Sequence, residues 1–161
     1  MEHPLWAPWR MQFIEAPKEP GCIFCRLPAE ERDRENLIVA RSAHSFAILN
    51  RYPYTSGHVM VVPRQHTNEL SALPPEAWND LTELLRRCDR ALRGAYKPQG
   101  MNVGMNLGQA AGAGIAEHLH WHLVPRWAGD NNFMPVVADL RVVIEHLDAT
   151  WLRLTEALET A

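Results

Sequence analysis

His118, His120 and His122 alternate with Leu119, Trp121 and Leu123, and the run closes on Val124-Pro125. A two-residue period is a strand signature, because successive side chains point to opposite faces of a sheet. The pattern therefore predicts a strand over 119–124 with three imidazoles on one face and apolar side chains on the other. A single tetrahedral metal cannot take all three. Alternate residues on a strand stand roughly 6.5–7 Å apart and the outer pair about 13 Å, whereas ligands of one zinc ion lie within about 3.5 Å of each other. A neighbouring pair can still converge on a metal. The competing reading is a histidine-rich surface strand, and the small-residue approach at 108–114 argues for a site instead.

The rest of the chain supplies partners for that strand. Short apolar or β-branched runs at 37–40, 45–49 and 58–62 are separated by turn residues, with Pro53 and Gly57 bounding the second turn, and they read as consecutive antiparallel strands. A further strand is expected over 101–107. Pro74-Pro75 opens a segment with Trp78, Leu81, Leu84, Leu85, Cys88 and Leu92 at helical spacing, ending near Gly94. Val142, Val143, His146, Leu147, Trp151, Leu154 and Leu158 mark a C-terminal helix. Grouped strands with added helices make this α+β, a roughly five-stranded antiparallel sheet with a long central helix and a C-terminal helix. With 161 residues one domain is expected. It divides into an arm over 1–21 rich in Trp and Pro (Trp6, Trp9), a core over 22–127, and an extension over 128–161 that carries the last helix.

Composition narrows the function. Sixteen basic against nineteen acidic residues give a net charge of −3, so no broad nucleic-acid surface is expected, and an anionic ligand must be held by local groups. No apolar run approaches membrane-spanning length and the N-terminus has no signal-peptide pattern, so the expected address is cytoplasmic. Three cysteines cannot all pair. Cys22-Ile23-Phe24-Cys25 has the spacing of metal or redox chemistry in a reducing compartment, and Cys88 sits in the helical pattern as a small buried hydrophobe.

Histidine near neutrality can act as nucleophile, acid, base or donor to phosphate. Attack on phosphorus requires one bare imidazole nitrogen, its partner nitrogen held by an acceptor, and donors around the phosphate oxygens. Gly112 and Gly114 allow backbone amides to turn toward an anion, and Asn106 adds a side-chain amide.

His118-x-His120-x-His122-Leu-Val-Pro resembles the signature of the histidine triad (HIT) superfamily of nucleotide hydrolases and transferases. The segments 47–53, 57–63 and 102–108 follow in that family's order, so the resemblance covers about 22–126. Leu5-Trp6-Ala7-Pro8-Trp9-Arg10, Gly21-Cys22-Ile23-Phe24-Cys25 and Pro125-Arg126-Trp127 are similar to the bacterial branch related to diadenosine polyphosphate hydrolases and diadenosine tetraphosphate phosphorylases.

That resemblance implies a HIT-like fold and cleavage of an adenine nucleotide or dinucleotide polyphosphate at the α-phosphate, by hydrolysis or phosphorolysis, with no catalytic metal. It assigns His120 as the nucleophile that becomes nucleotidylated. His122 is the contact to the phosphate and bridging oxygen, His58 completes the imidazole cluster, and the His118 carbonyl fixes the His120 tautomer. Asn50 takes the ribose hydroxyls, and Phe46 and Leu49 the base. Cys22, Cys25, His66 and His118 match a structural zinc set found in some branches, a closed tetrahedral donor set. A homodimer is implied, with a tetramer as the larger alternative. The chain departs from the family at Gly114 and Ile115, where a Gln or Ser side chain usually precedes the first histidine. A nucleotide-binding or signalling module without useful catalysis, and a nucleoside phosphoramidate hydrolase, are the competing functions.

Overall fold

The structure, a computed structural model, describes residues 21–130 and 145–161. A short helix α1 (Ile23–Ala29) is followed by strands β1 (Ile38–Arg41), β2 (Ser45–Leu49) and β3 (Val59–Pro63), the long helix α2 (Pro75–Tyr96), strands β4 (Gly100–Gly104) and β5 (Trp121–Arg126), and helix α3 (Leu147–Glu159). The five strands form one sheet in the order β1-β2-β3-β5-β4, and every neighbouring pair is antiparallel. The expected α+β architecture is the one observed. The proposed arm with Trp6 and Trp9, and Val142 and Val143 of the proposed last helix, lie outside the described residues.

β2 and β3 are buried at every position, because helices cover both faces of the sheet and the strands have no solvent side. Ala47, Leu49, Val59, Val61 and Leu123 pack against Leu81, Leu84, Cys88 and Leu92 of α2 and Leu154 and Leu158 of α3. Phe46, Ile48, Met60 and Val62 face the other way and pack with Phe24 of α1. In β1, Ile38 joins the α1 side and Val39 the helix side, across a register shift between Ile38 and Ala40.

α2 begins with Pro75 at its first turn, where a missing N–H costs nothing. It runs through Gly94, two residues past the end expected from the sequence. A mid-helix glycine costs only about 1 kcal/mol, and Tyr96 packs on the core beyond it. The helix stops at Lys97, which adopts a left-handed φ of 47° and donates its N–H to Arg93 O. α3 is pinned to β1 by Trp151 Nε1–H donating to Ile38 O at 2.7 Å and to the turn ahead of β1 by a two-pronged Arg34–Asp148 contact at 2.9 Å.

Candidate active site

A row of side chains crosses the α1 face of the sheet. Ile38 pairs with Ile48, Ile48 with Met60, Met60 with His122, and His122 with Gly104. His122 thus projects from an inner strand on the face that α1 only partly covers. The strand starts at Trp121, so His118 and His120 precede it and the expected strand over 119–124 is shifted. Leu119 is buried as the alternation required, and its N–H donates to Thr67 O at 2.8 Å, tying down the approach segment.

Freed from strand geometry, the three imidazoles diverge. His120 lies against His122, with ring centres 5.0 Å apart. Phe24 packs on both His118 and His120, at 5.5 and 5.1 Å. His118 turns instead toward Cys22, Cys25 and His66.

Hydrogen bonds fix the proton on each ring. His120 Nδ1 lies 2.8 Å from the His118 carbonyl, which can only accept, so Nδ1 carries the proton and Nε2 is left with its lone pair. The Tyr54 N–H donates to His58 Nδ1 at 3.2 Å, so the His58 proton is on Nε2. That nitrogen is 2.9 Å from His122 Nδ1, which therefore accepts, and the His122 proton is on Nε2. One ring offers a bare nitrogen and its neighbour an N–H.

Burial keeps both rings neutral. It pushes the His120 pKa below the ordinary histidine value, against the opposing effect of the bond to the His118 carbonyl. For His122, burial, and then the proximity of His120, lower it to about 4. At neutral pH the pair is an uncharged ring with a bare nitrogen beside an uncharged N–H donor.

These rings open onto a cleft of about 1200 Å³ whose walls include Ile23, Leu27, Leu37, Ile48 and Asn50 on one side and Asn106, Gly112 and Gly114 on the other. Asn50 Oδ1 accepts from the Tyr52 N–H at 2.9 Å, which sets the orientation of its amide. Phe46 is fully buried and is absent from the cleft wall, which corrects its expected place beside a base. Leu49 touches the cleft, yet its side chain belongs to the core under α2. Ile48 contributes to the apolar wall together with Ile23, Leu27 and Leu37, and the sequence reading missed it. The signal was available, since the residue two before Asn50 shares its face of the strand. Tyr54 was missed as well; its ring packs on His58 at 4.7 Å and lies 6.3 Å from His122 with the ring planes 27° apart.

Gly114 lines the cleft, while Gly112 differs from expectation. Gly112 N–H donates to Gln109 O, and Ala113 N–H to Gly108 O, so these amides close a turn. Gly108 and Gly112 adopt φ of 80° and 88°, which explains glycine at both positions. The loop shapes the cleft wall with its backbone.

Cys22, Cys25, His66 and His118 bring one ligand atom each within 4.8 Å of one another. Cys22 Sγ is 3.3 Å from His118 Nδ1, and Cys25 Sγ 3.3 Å from His66 Nδ1. These are the separations of sulfur and nitrogen about one tetrahedral zinc, roughly 3.5 Å. His118 Nε2 lies 2.8 Å from Pro63 O, so its proton is there and Nδ1 presents a lone pair to the cluster, the usual outer hydrogen bond of a metal-bound histidine. The residues fit zinc.

A sequence model of the HIT domain matches residues 31–129. The chain belongs to the HIT family. It is 39% identical to an AP-4-A phosphorylase of Mycobacterium tuberculosis, over 91% of this chain and 79% of that protein. The fold resembles a hypothetical histidine triad nucleotide-binding protein from Sulfolobus tokodaii, with a TM-score of 0.70, 26% identity and coverage of 86% and 93% of the two chains. It also resembles a zinc-bound histidine triad protein from Mycobacterium smegmatis, with a TM-score of 0.69, 27% identity and coverage of 87% and 94%. In this HIT chain the histidine run thus serves two places, His118 in the thiol cluster and the other two in the cleft.

Proposed function

We propose that this protein cleaves dinucleoside polyphosphates at the α-phosphate, with His120 Nε2 attacking phosphorus to give a nucleotidyl-histidine that water or phosphate then resolves. The observation that carries the reading is the 2.8 Å contact between His120 Nδ1 and the His118 carbonyl. It leaves the other nitrogen unprotonated on a ring that lines the cleft, as a nucleophile requires. The nucleoside lies against Ile48 with its ribose at Asn50. The N–H of His122 binds the oxygen that bridges to the leaving group, with Asn106 nearby as a further donor.

The protonation of His122 favours a polyphosphate leaving group over an amine or alkoxide. A departing phosphate is already an anion near pH 7, its second pKa being about 6, and needs only a hydrogen bond. An amine needs a proton, which an imidazole with a pKa of about 4 supplies poorly at neutral pH. The AP-4-A phosphorylase similarity supports the same substrate class.

Cys22, Cys25, His66 and His118 would hold a zinc ion that supplies structural cross-linking, not chemistry. Three free cysteines, two of them in that cluster, suit a reducing cytoplasm, and no described helix is long and apolar enough to cross a membrane. The reading includes a homodimer. Strand β4 lies at an edge of the sheet with Val103 exposed on it and Leu107 exposed just beyond it, a place where a second copy could pair.

The test is incubation with diadenosine tetraphosphate labelled in the adenylyl group, with and without phosphate. ATP plus ADP indicates phosphorolysis and ATP plus AMP hydrolysis. His120→Asn should abolish turnover while nucleotide binding survives, and the unaltered protein should trap an acid-labile adenylyl group. Binding without turnover by the unaltered protein would reject the enzymatic reading.

A further inference from the structure

A second hollow of about 470 Å³ adjoins the first at His122, Tyr54 and Asn106. Its floor is the continuation of the same sheet face, His122, Val124 and Arg126 along β5 beside Gly104 and Asn102 of β4. Its volume falls within the roughly 300–1,000 Å³ range of small-molecule sites. The two hollows differ in one respect that matters chemically: His120 borders only the larger one, whereas His122 borders both.

We propose that this second hollow is the subsite for the departing nucleotide, a nucleoside polyphosphate whose phosphates run along β5 from His122 to Arg126. The proposal rests on the adenylyl-transfer reading above and adds the residues that select a two-nucleoside substrate. Displacement at phosphorus is in line, so the leaving oxygen departs on the side opposite the attacking nitrogen. With His120 on the side of the larger cleft and the nucleoside held there, the bond that breaks points past His122 into the second hollow. The N–P bond forms at His120 Nε2, and the P–O bond to the β-phosphate breaks. Its electron pair leaves with the nucleoside polyphosphate, stabilised by the His122 N–H without proton transfer.

Arg126 is the anchor at the far end. Residues four apart on a strand lie roughly 13 Å from each other, which gives a polyphosphate room to extend. The guanidinium is held by Asp130 at 2.5 and 2.9 Å and by Asn102 Oδ1 at 2.9 Å. These contacts use three of its five N–H groups and set the plane in which the remaining two are presented, the arrangement suited to phosphate. Asn102 and Arg126 were not among the residues singled out from the sequence, where Arg126 appeared only as part of the Pro-Arg-Trp run.

The experiment compares two adenylyl donors whose leaving groups both depart as anions: diadenosine tetraphosphate, and the p-nitrophenyl ester of AMP, whose short leaving group carries no phosphates to reach Arg126. The readout is the ratio of kcat/KM for the first to that for the second. Arg126→Ala should lower this ratio about tenfold, chiefly through a raised KM for the dinucleotide. Asn102→Trp, at an exposed strand position, should lower it similarly by filling the hollow, and it covers the case in which Arg126→Ala fails to fold. A ratio unchanged in both folded variants overturns the subsite while leaving adenylyl transfer intact. Failure of the unaltered protein to turn over either donor overturns the underlying reading, and the subsite with it.

Discussion

Gly57 sets where His58 stands, and Gly57→Ala should be costly for reasons that can be added up. The residue has φ of 80°, where an L side chain costs about 1–2 kcal/mol. A Cβ there would sit 3.2 Å from Leu92 Cδ2 and 3.3 Å from Tyr96 Cε2. Leu92 is fully buried in the α2 core, so it cannot retreat without disturbing its neighbours, and crowding of this kind costs about 1–3 kcal/mol. The reduced freedom of the unfolded chain returns about 0.4–1 kcal/mol. The net expectation is a loss of about 1–4.6 kcal/mol. Gly94→Ala is the matched control, since Gly94 lies within α2 with nothing near its would-be Cβ, and it should gain about 0.5–1 kcal/mol. Urea unfolding of both variants at pH 7, with unchanged slope, measures the difference. Gly57→Ala should also slow turnover, because the turn that displaces Gly57 carries the ring that orients His122. A Gly57→Ala protein within about 0.5 kcal/mol of the original, the range of ordinary surface changes, would refute the reasoning.

Two further outcomes follow from the site. His122, with its pKa lowered to about 4, stays neutral in the fold while the same ring in the unfolded chain titrates near 6.5. Between those values the unfolded state binds more protons, so stability should fall as pH drops from about 6.5 toward about 4. NMR titration of the His122 ring and urea midpoints across that window check it, and a ring titrating near 6.5 in the folded protein would contradict it. Protein purified without added zinc should carry about one zinc per chain, and Cys25→Ser should lose the metal and lower the thermal midpoint, as expected where metal binding is coupled to folding. Metal content near zero in the unaltered protein would sink the zinc assignment.

Much of this was legible because the physics involved is local. The doubly buried runs of β2 and β3 and the helical spacing from Trp78 to Leu92 report burial through periodicity, and both elements formed where that periodicity put them. Cys22, Cys25, His66 and His118 were recognisable from donor chemistry and family pattern, although 96 residues separate Cys22 from His118. What local patterning could not show is where a strand begins. His118 and His120 obey alternation in sequence yet lie ahead of β5, held by the Leu119–Thr67 bond and by Phe24, which are contacts between distant segments. The choice of Phe46 over Ile48 failed for a related reason: both are apolar and lie on the same face, and only the position of α1 decides which of them reaches the cleft. Helix α1 itself was not foreseen. It has seven residues with Pro28 inside, too short for a periodic signal, and it forms through packing of Phe24.

β5 is hydrogen-bonded on both sides, to β3 and to β4, whereas the segment from Gly108 to Ala111 is exposed and held by short turn bonds. Opening the backbone around His122 therefore requires breaking the middle of the sheet, while the loop that walls the cleft can open by itself. Amide hydrogen exchange should separate the two by orders of magnitude, with protection at His122 tracking global unfolding. The molecule sets His122 on the part that moves last, and leaves the wall of the cleft to the part that moves first.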